Sequence, residues 1–331
     1  MEIEAGDPDA IGTDDEMPIN FEKPLAAKTA TSLDNVQASL TVNSVPNSEA
    51  PQTMIAATVQ LGDSSKILTS PILCMTAPPI EPFVARHSVT DTTAQGPPVT
   101  LELCAGSAGL TRALSDCKFV AHGVDHKKNR HNPKAACAKV DLATPDGQRI
   151  IWDFVSVSVV FFTWMGPPCG TASRAREIPL TAKQRKAGAP TPRPLRDARH
   201  PLGIPSLSGA DLEKVKLANA IYSFCNDYID MCLSKEWYFA IENPRGSWLW
   251  SIPRFAKLLQ HKGVYVVDFQ ACAFGGERPK WTRIVTNCPE LQSLRRVCPG
   301  ESAKHVHAAW GAEQSDSGQW SFRTAQEAEY S

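Results

Sequence analysis

Residues 157–173 read VSVVFFTWMGPPCGTAS. Val157, Val159, Val160, Phe161 and Phe162 are β-branched or aromatic, the composition of a strand buried on both faces. Pro167 and Pro168 offer no backbone N–H, so the ladder stops and the chain turns sharply. Cys169 follows on that turn. A thiol at the carboxyl end of a buried strand stands where open α/β sheets place ligands and chemistry. A lone cysteine is more often a packed core residue. Here Gly170, Thr171 and Ser173 are too small and polar to continue a core. The stretch therefore predicts a rigid turn carrying a nucleophile.

On the N-terminal side of this stretch, strand and helix signals alternate. Residues 99–103 read as a short strand, residues 104–109 as a loop of small residues, and residues 110–115 as the opening of a helix. A strand, small-residue loop and helix make a site for a nucleotide-like ligand, because the backbone can approach closely and helix N-terminal amides point at the ligand. Residues 119–124 form a second strand ending in Asp125. That carboxylate is placed either to accept from ribose hydroxyls or to serve as a turn residue. A third strand over residues 139–142 carries Asp141, and Thr144 caps the helix that follows.

On the C-terminal side, residues 174–205 read as a long, mobile, basic loop, with eight Lys/Arg between Arg174 and Arg199 against Glu177 and Asp197. Such a loop beside the thiol suits contact with a phosphate backbone or is a solvated insertion. Residues 211–233 form a helix with an apolar face of Leu212, Val215, Leu217, Ile221, Phe224, Tyr228 and Cys232. Residues 237–241 are a strand ending in Glu242-Asn243-Pro244. A carboxylate there faces the crevice of Cys169 and is suited to hold or share a proton, unless it only shapes the turn. Residues 247–260 read as helical apart from Pro253. Residues 264–269 are a strand, 274–280 a basic turn containing glycine, and 283–286 the last clear strand. The alternation predicts an α/β fold with a mostly parallel, doubly wound sheet.

Composition bounds the rest. Residues 1–96 hold 13 acidic and 4 basic side chains, against 22 and 30 in residues 97–331. An acidic tail on a basic domain suggests a polyanionic partner for the domain. Residues 1–52 lack apolar periodicity and are expected to be disordered. Residues 53–96 read as a linker that docks locally, with apolar pieces at 54–61 and 67–75. No run of 18 apolar residues indicates a membrane span. No signal peptide is evident, and the ten scattered cysteines read as reduced thiols of an intracellular protein.

Four blocks in order resemble the cytosine-5 nucleic-acid methyltransferase family over residues 98–290. Glu102-Leu103-Cys104-Ala105-Gly106-Ser107-Ala108-Gly109-Leu110 resembles its S-adenosylmethionine loop. Gly166-Pro167-Pro168-Cys169 with Ser173 resembles its catalytic motif, and Glu242-Asn243-Pro244 its Glu-Asn-Val motif. The stretch from Phe274-Gly275 to Asn287 resembles its basic eighth motif. Divergent methyltransferase-like proteins associated with mobile elements resemble this chain further, sharing Ser-Arg-Ala-Arg after the thiol turn and Glu-Asn-Pro-x-x-Ser. Two motifs depart from the family pattern. Cys104 replaces an aromatic residue, and Arg278-Pro279-Lys280-Trp281-Thr282 replaces Gln-x-Arg-x-Arg. The family also continues into a target-recognition region and a closing helix, so 288–331 reads as a small, truncated C-terminal segment.

The resemblance implies a Rossmann-like class I methyltransferase fold over residues 97–331, with S-adenosylmethionine as cofactor and DNA, or alternatively RNA, as partner. A nuclear, monomeric protein that touches no membrane is expected. Cys169 is the implied nucleophile, Glu242 holds the cytosine ring, and Lys280 or Arg283 steadies the base or the thiol. Leu103, Cys104, Gly106, Ala108, Gly109, Leu110 and Pro167 line the cofactor, with Asp125 on the ribose and Asp141 on the adenine. Ser173, Arg174, Arg176, Lys183, Arg185 and Lys186 are expected to contact nucleic acid. The rival expectation is a catalytically silent nucleic-acid-binding module on the same fold; a thiol enzyme unrelated to methylation is a third. Cys272, Cys298, His305 and His307 offer ligand types that suit zinc, with Cys288 as a further thiol. Their irregular spacing reads instead as core thiols and surface histidines, so no metal is expected.

Overall fold

The protein was analysed as a computed structural model that describes residues 98–126, 132–315, 318 and 320–323, with three strands upstream. Those strands, β1 (Val36–Val45), β2 (Gln52–Leu61) and β3 (Leu68–Leu73), pair as an antiparallel meander. β1 falls within the tail read as disordered, and β2 and β3 coincide with the apolar pieces of the linker. The remainder of residues 1–96 lies outside the described residues.

The main sheet has seven strands: β4 (Val99–Leu103), β5 (Val120–Asp125), β6 (Cys137–Lys139), β7 (Val160–Met165), β8 (Tyr238–Pro244), β9 (Tyr265–Gln270) and β10 (Trp281–Thr286). Across the sheet they stand in the order β6-β5-β4-β7-β8-β10-β9. β10 runs antiparallel to both its neighbours, and the other pairings are parallel. The expected α/β, mostly parallel, doubly wound sheet is therefore present. Strand alternation splits the core between its two faces. Phe239 and Ile241 of β8 pack in the cluster holding Leu101, Leu103, Met165, Phe224 and Tyr228. Ala240 packs with Val267, Phe269 and Ile284 in the other cluster.

Helices α1 (Gly109–Asp116), α2 (Pro145–Ser156), α4 (Gly209–Ser234) and α5 (Pro253–Leu258) accompany the sheet. Thr144 starts α2 as expected, its Oγ1 accepting from Gly147 N at 3.1 Å with Pro145 in the first turn. α4 buries Val215, Tyr222, Phe224, Tyr228 and Cys232 on one side. Leu217, expected on that face, is exposed. Among the described residues no helix is long and apolar enough to cross a membrane.

Several boundaries differ from the sequence reading. β7 begins at Val160, because Val157 closes α2 with its N–H on Phe154 O and is exposed. β6 ends before Asp141, which lies in the turn leading to α2. Glu242 and Asn243 belong to β8 itself. Residues 174–205 are not a structureless loop. They contain a 3-10 turn at Arg174–Glu177 and helix α3 (Ala182–Lys186), the latter closed by a capping box between Thr181 and Gln184. Arg196 anchors the stretch in the interior, 1% exposed.

One glycine is required by space. A Cβ on Gly147 would stand 2.0 Å from Asp141 O. Gly147→Ala is expected to destabilise the fold by about 1–3 kcal/mol through overpacking and to displace Asp141, measured by denaturant unfolding; a neutral effect would show that the turn yields freely.

Candidate active site

The geometry starts from the sheet. Leu103 of β4 pairs with Met165 of β7, and Met165 pairs with Ile241 of β8. The segments that follow these residues leave from one edge. β5 lies on one side of β4 and β7 on the other, so the strand order reverses between β4 and β7. Ligands of open α/β sheets bind outside the carboxyl ends of the strands at this reversal. Gly166 N donates to Leu103 O at 3.0 Å, tying the thiol turn to the end of β4, where the small-residue loop begins.

The small-residue loop is tightly wound. Cys104, Gly106 and Ala108 have left-handed backbone, with φ of 58°, 55° and 52°. For Cys104 and Ala108 that conformation costs energy which surrounding bonds must offset. Glu102 supplies part of this hold, accepting from both Thr111 N and Thr111 Oγ1 at 2.6 Å. Burial pushes the Glu102 carboxyl above its usual range, with Thr111 pulling the other way. Asp125 accepts from Gly106 N through one oxygen and His126 N through the other. Asp141 accepts from Ala143 N at 3.0 Å and lies 3.3 Å from His126 Nε2. Both carboxylates thus organise the loop region.

Of the expected cofactor residues, Leu103, Ala108 and Pro167 are buried, while Cys104, Gly106, Gly109 and Leu110 are half-buried. The residues suit an adenosyl group: no side chain from Cys104 to Gly109 is larger than cysteine, and two carboxylates join the same network.

The thiol turn is clamped from several elements. Cys169 O accepts from Ala172 N at 3.0 Å and Ser173 N at 2.8 Å. Pro167 O accepts from Asn243 Nδ2 at 3.0 Å, and Pro168 O from the Tyr222 hydroxyl. Thr171 Oγ1 accepts from Arg196 Nη2 at 2.9 Å. Burial pushes the Cys169 thiol above its usual value, the negative charge of Glu242 adds to the rise, and Lys280 opposes it. The charges of Glu242 and Lys280, on two other segments, thus both act on Cys169. Arg283 is not among the groups acting on the thiol. It pairs with Asp268 at 2.7 and 2.8 Å, in direct register between β10 and β9. Of the two basic candidates, Lys280 is the one whose charge favours the Cys169 thiolate.

This arrangement fixes the sign of a test. The thiolate is the reactive form. Lys280→Met removes the cation that favours it, so the pH midpoint for iodoacetamide labelling of Cys169 is expected to rise; an unchanged midpoint would place Lys280 elsewhere.

The residues expected to contact nucleic acid divide into two groups. Ser173 caps the 3-10 turn through Ala175 N at 3.2 Å. Arg174 pairs with Glu177 at 2.9 Å and lies over the Trp248 ring. Arg176 donates to Gly170 O at 2.7 Å, holding the residue after the thiol. Lys183, Arg185 and Lys186 are exposed on α3, with Arg185 also donating to Leu180 O. The sequence reading gave no role to Tyr222, Asn243 or Arg196. Asn243 was marked only by its place in Glu-Asn-Pro, and nothing local distinguishes Arg196 from the surface arginines around it.

Cys272, Cys298, His305 and His307, read as core thiols and surface histidines, converge instead, their ligand atoms within 4.8 Å of one another. Cys288 stands apart in the core, its Sγ 3.1 Å from Glu290 Oε2.

No family profile and no curated protein matches this chain. Among solved structures, the chain is similar to a crystal structure of the S. pombe Dnmt2 methyltransferase, at a TM-score of 0.31 and 13% identity. The match covers 61% of this chain and 56% of that one, a little over half its length.

Proposed function

We propose that this protein is an S-adenosylmethionine-dependent methyltransferase that modifies carbon 5 of cytosine in DNA through Cys169. The observation that carries the reading is the Cys169 turn, bonded to the end of β4 and to Asn243 beside Glu242, next to a small-residue loop at the strand-order reversal.

Carbon 5 of cytosine is a poor nucleophile. Sulfur added at carbon 6 makes the ring enamine-like and carbon 5 nucleophilic. Partial burial and the Glu242 charge both favour the protonated thiol at rest. In the bound complex Glu242 takes up the thiol proton and passes it to ring N3. The S–H thus adds across the ring, sulfur to carbon 6 and hydrogen to N3, and the repulsion that held the thiol protonated lapses. Lys280 stabilises negative charge on sulfur during that transfer. S-adenosylmethionine, when bound, supplies an electrophilic methyl group. Asp125, Asp141 and the Cys104–Gly109 loop are the residues that hold it. The base must leave the helical stack to reach Cys169, and the exposed cations of α3 suit the phosphates nearby.

The test is covalent trapping of a 5-fluorocytosine duplex, with and without S-adenosylmethionine, beside Cys169→Ala. A denaturation-resistant, cofactor-dependent adduct lost in the variant is expected. No adduct, with the cofactor still bound by calorimetry, would favour a silent nucleic-acid-binding module. Neither adduct nor cofactor binding would overturn the methyltransferase reading.

A further inference from the structure

We propose that Cys272, Cys298, His305 and His307 bind one zinc ion in a closed tetrahedral site that fastens residues 298–307 to the turn carrying Lys280. Cys272 sits in the 3-10 turn Ala271–Phe274 that ends β9. The other three come from the C-terminal segment. Cys298 Sγ lies 3.3 Å from His305 Nε2 and 3.4 Å from His307 Nε2, and the two nitrogens are 3.0 Å apart. Tetrahedral zinc holds sulfur and nitrogen about 3.6 Å apart and two nitrogens about 3.3 Å apart. The observed distances are those values contracted by a few tenths of an ångström, and all four ligand atoms share one small space.

The chemistry of the donors points the same way. Both cysteines are free thiols rather than a disulfide. His307 Nδ1 lies 3.1 Å from Glu301 Oε1. That carboxylate places the ring proton on Nδ1 and leaves the Nε2 lone pair aimed at the cluster, the outer support that metal-bound histidines have. Two thiolates and two imidazoles are a soft set that selects zinc over magnesium or calcium. Loss of both thiol protons to solvent leaves the +2 ion neutralised by two thiolates, so the site carries no net charge. Four protein ligands fill the tetrahedron, which makes the site structural.

The surrounding bonds show what the ion would hold. Cys298 N donates to Gln270 Oε1 at 2.9 Å, and Gln270 N to Arg296 O at 3.0 Å. Beyond the histidines, Ala308 N donates to Glu277 O at 2.8 Å, and Arg278 Nε to Ala309 O at 3.1 Å. The segment therefore braces the turn 277–280 from outside the sheet.

The test uses the full chain, purified with zinc and dialysed. One zinc per chain by elemental mass spectrometry is expected, retained in Cys288→Ser and lost in Cys298→Ser and His307→Ala. Anaerobic exchange into cobalt(II) should give thiolate-to-cobalt charge transfer with tetrahedral d–d bands, a readout on the wild-type chain that does not depend on a variant folding. Cys272 and Cys298 should resist iodoacetamide until a chelator is added. Wild-type protein without stoichiometric zinc, or a cobalt spectrum lacking the thiolate band, would overturn the proposal.

Discussion

On the proposed mechanism, Glu242→Gln is expected to slow cytosine methylation by roughly 10²–10⁴-fold, the range for loss of a positioned proton-transfer group, while making Cys169 easier to alkylate. The two effects oppose each other because one carboxylate acts on two things. Its negative charge raises the thiol above its usual value, second only to burial. Neutral glutamine removes that charge, so the thiolate forms at lower pH and iodoacetamide reacts faster at neutral pH. Glutamine cannot relay a proton to ring N3, so transfer slows. The limb of the methylation profile that rises with thiol ionisation should move to lower pH in the variant, opposite to the shift expected for Lys280→Met. Single-turnover methyl transfer and the alkylation profile are the measurements. A variant losing both methylation and alkylation would instead show that Glu242 holds the turn in place.

Arg196→Ala is expected to destabilise the protein by about 3 kcal/mol, from buried hydrogen bonds to a charged group and the cavity left behind. The expected fall in Tm is about 6–12 °C, at roughly 2–4 °C per kcal/mol for a large domain. The guanidinium donates to Thr171 Oγ1 at 2.9 Å, Pro201 O at 2.7 Å and Asn219 Oδ1 at 2.7 Å, and lies over the Tyr222 ring. Alanine leaves these acceptors without their donor and loosens both Thr171 and Tyr222, which hold the thiol turn. Calorimetric unfolding checks the stability, and Cys169 labelling checks the turn. A loss below about 1 kcal/mol, the scale of a single net hydrogen bond, would mean that other contacts carry the clamp.

The sequence alone determined what depends on near neighbours. Apolar periodicity placed the strand over residues 99–103 and the long helix, and Pro167-Pro168 placed Cys169 on a turn, because ladder termination and amphipathic burial act within a few residues. The alternation of strands and helices settled a doubly wound sheet, and the small-residue loop was legible because every residue in it is small. Local signals misplaced the start of β7, since Val157 has a strand-former's side chain but was needed to close α2. Only the tertiary structure decided which charges meet. The register of β10 against β9 gave Arg283 to Asp268, while the charge of Lys280, in the turn before β10, acts on Cys169. Arg196 reads as one more cation of a polar loop until the chain folds it inside. Cys272, Cys298, His305 and His307 become one cluster only because the C-terminal segment packs on the end of β9. Register, burial and convergence are set by packing between segments distant in sequence, which no window of neighbouring residues contains.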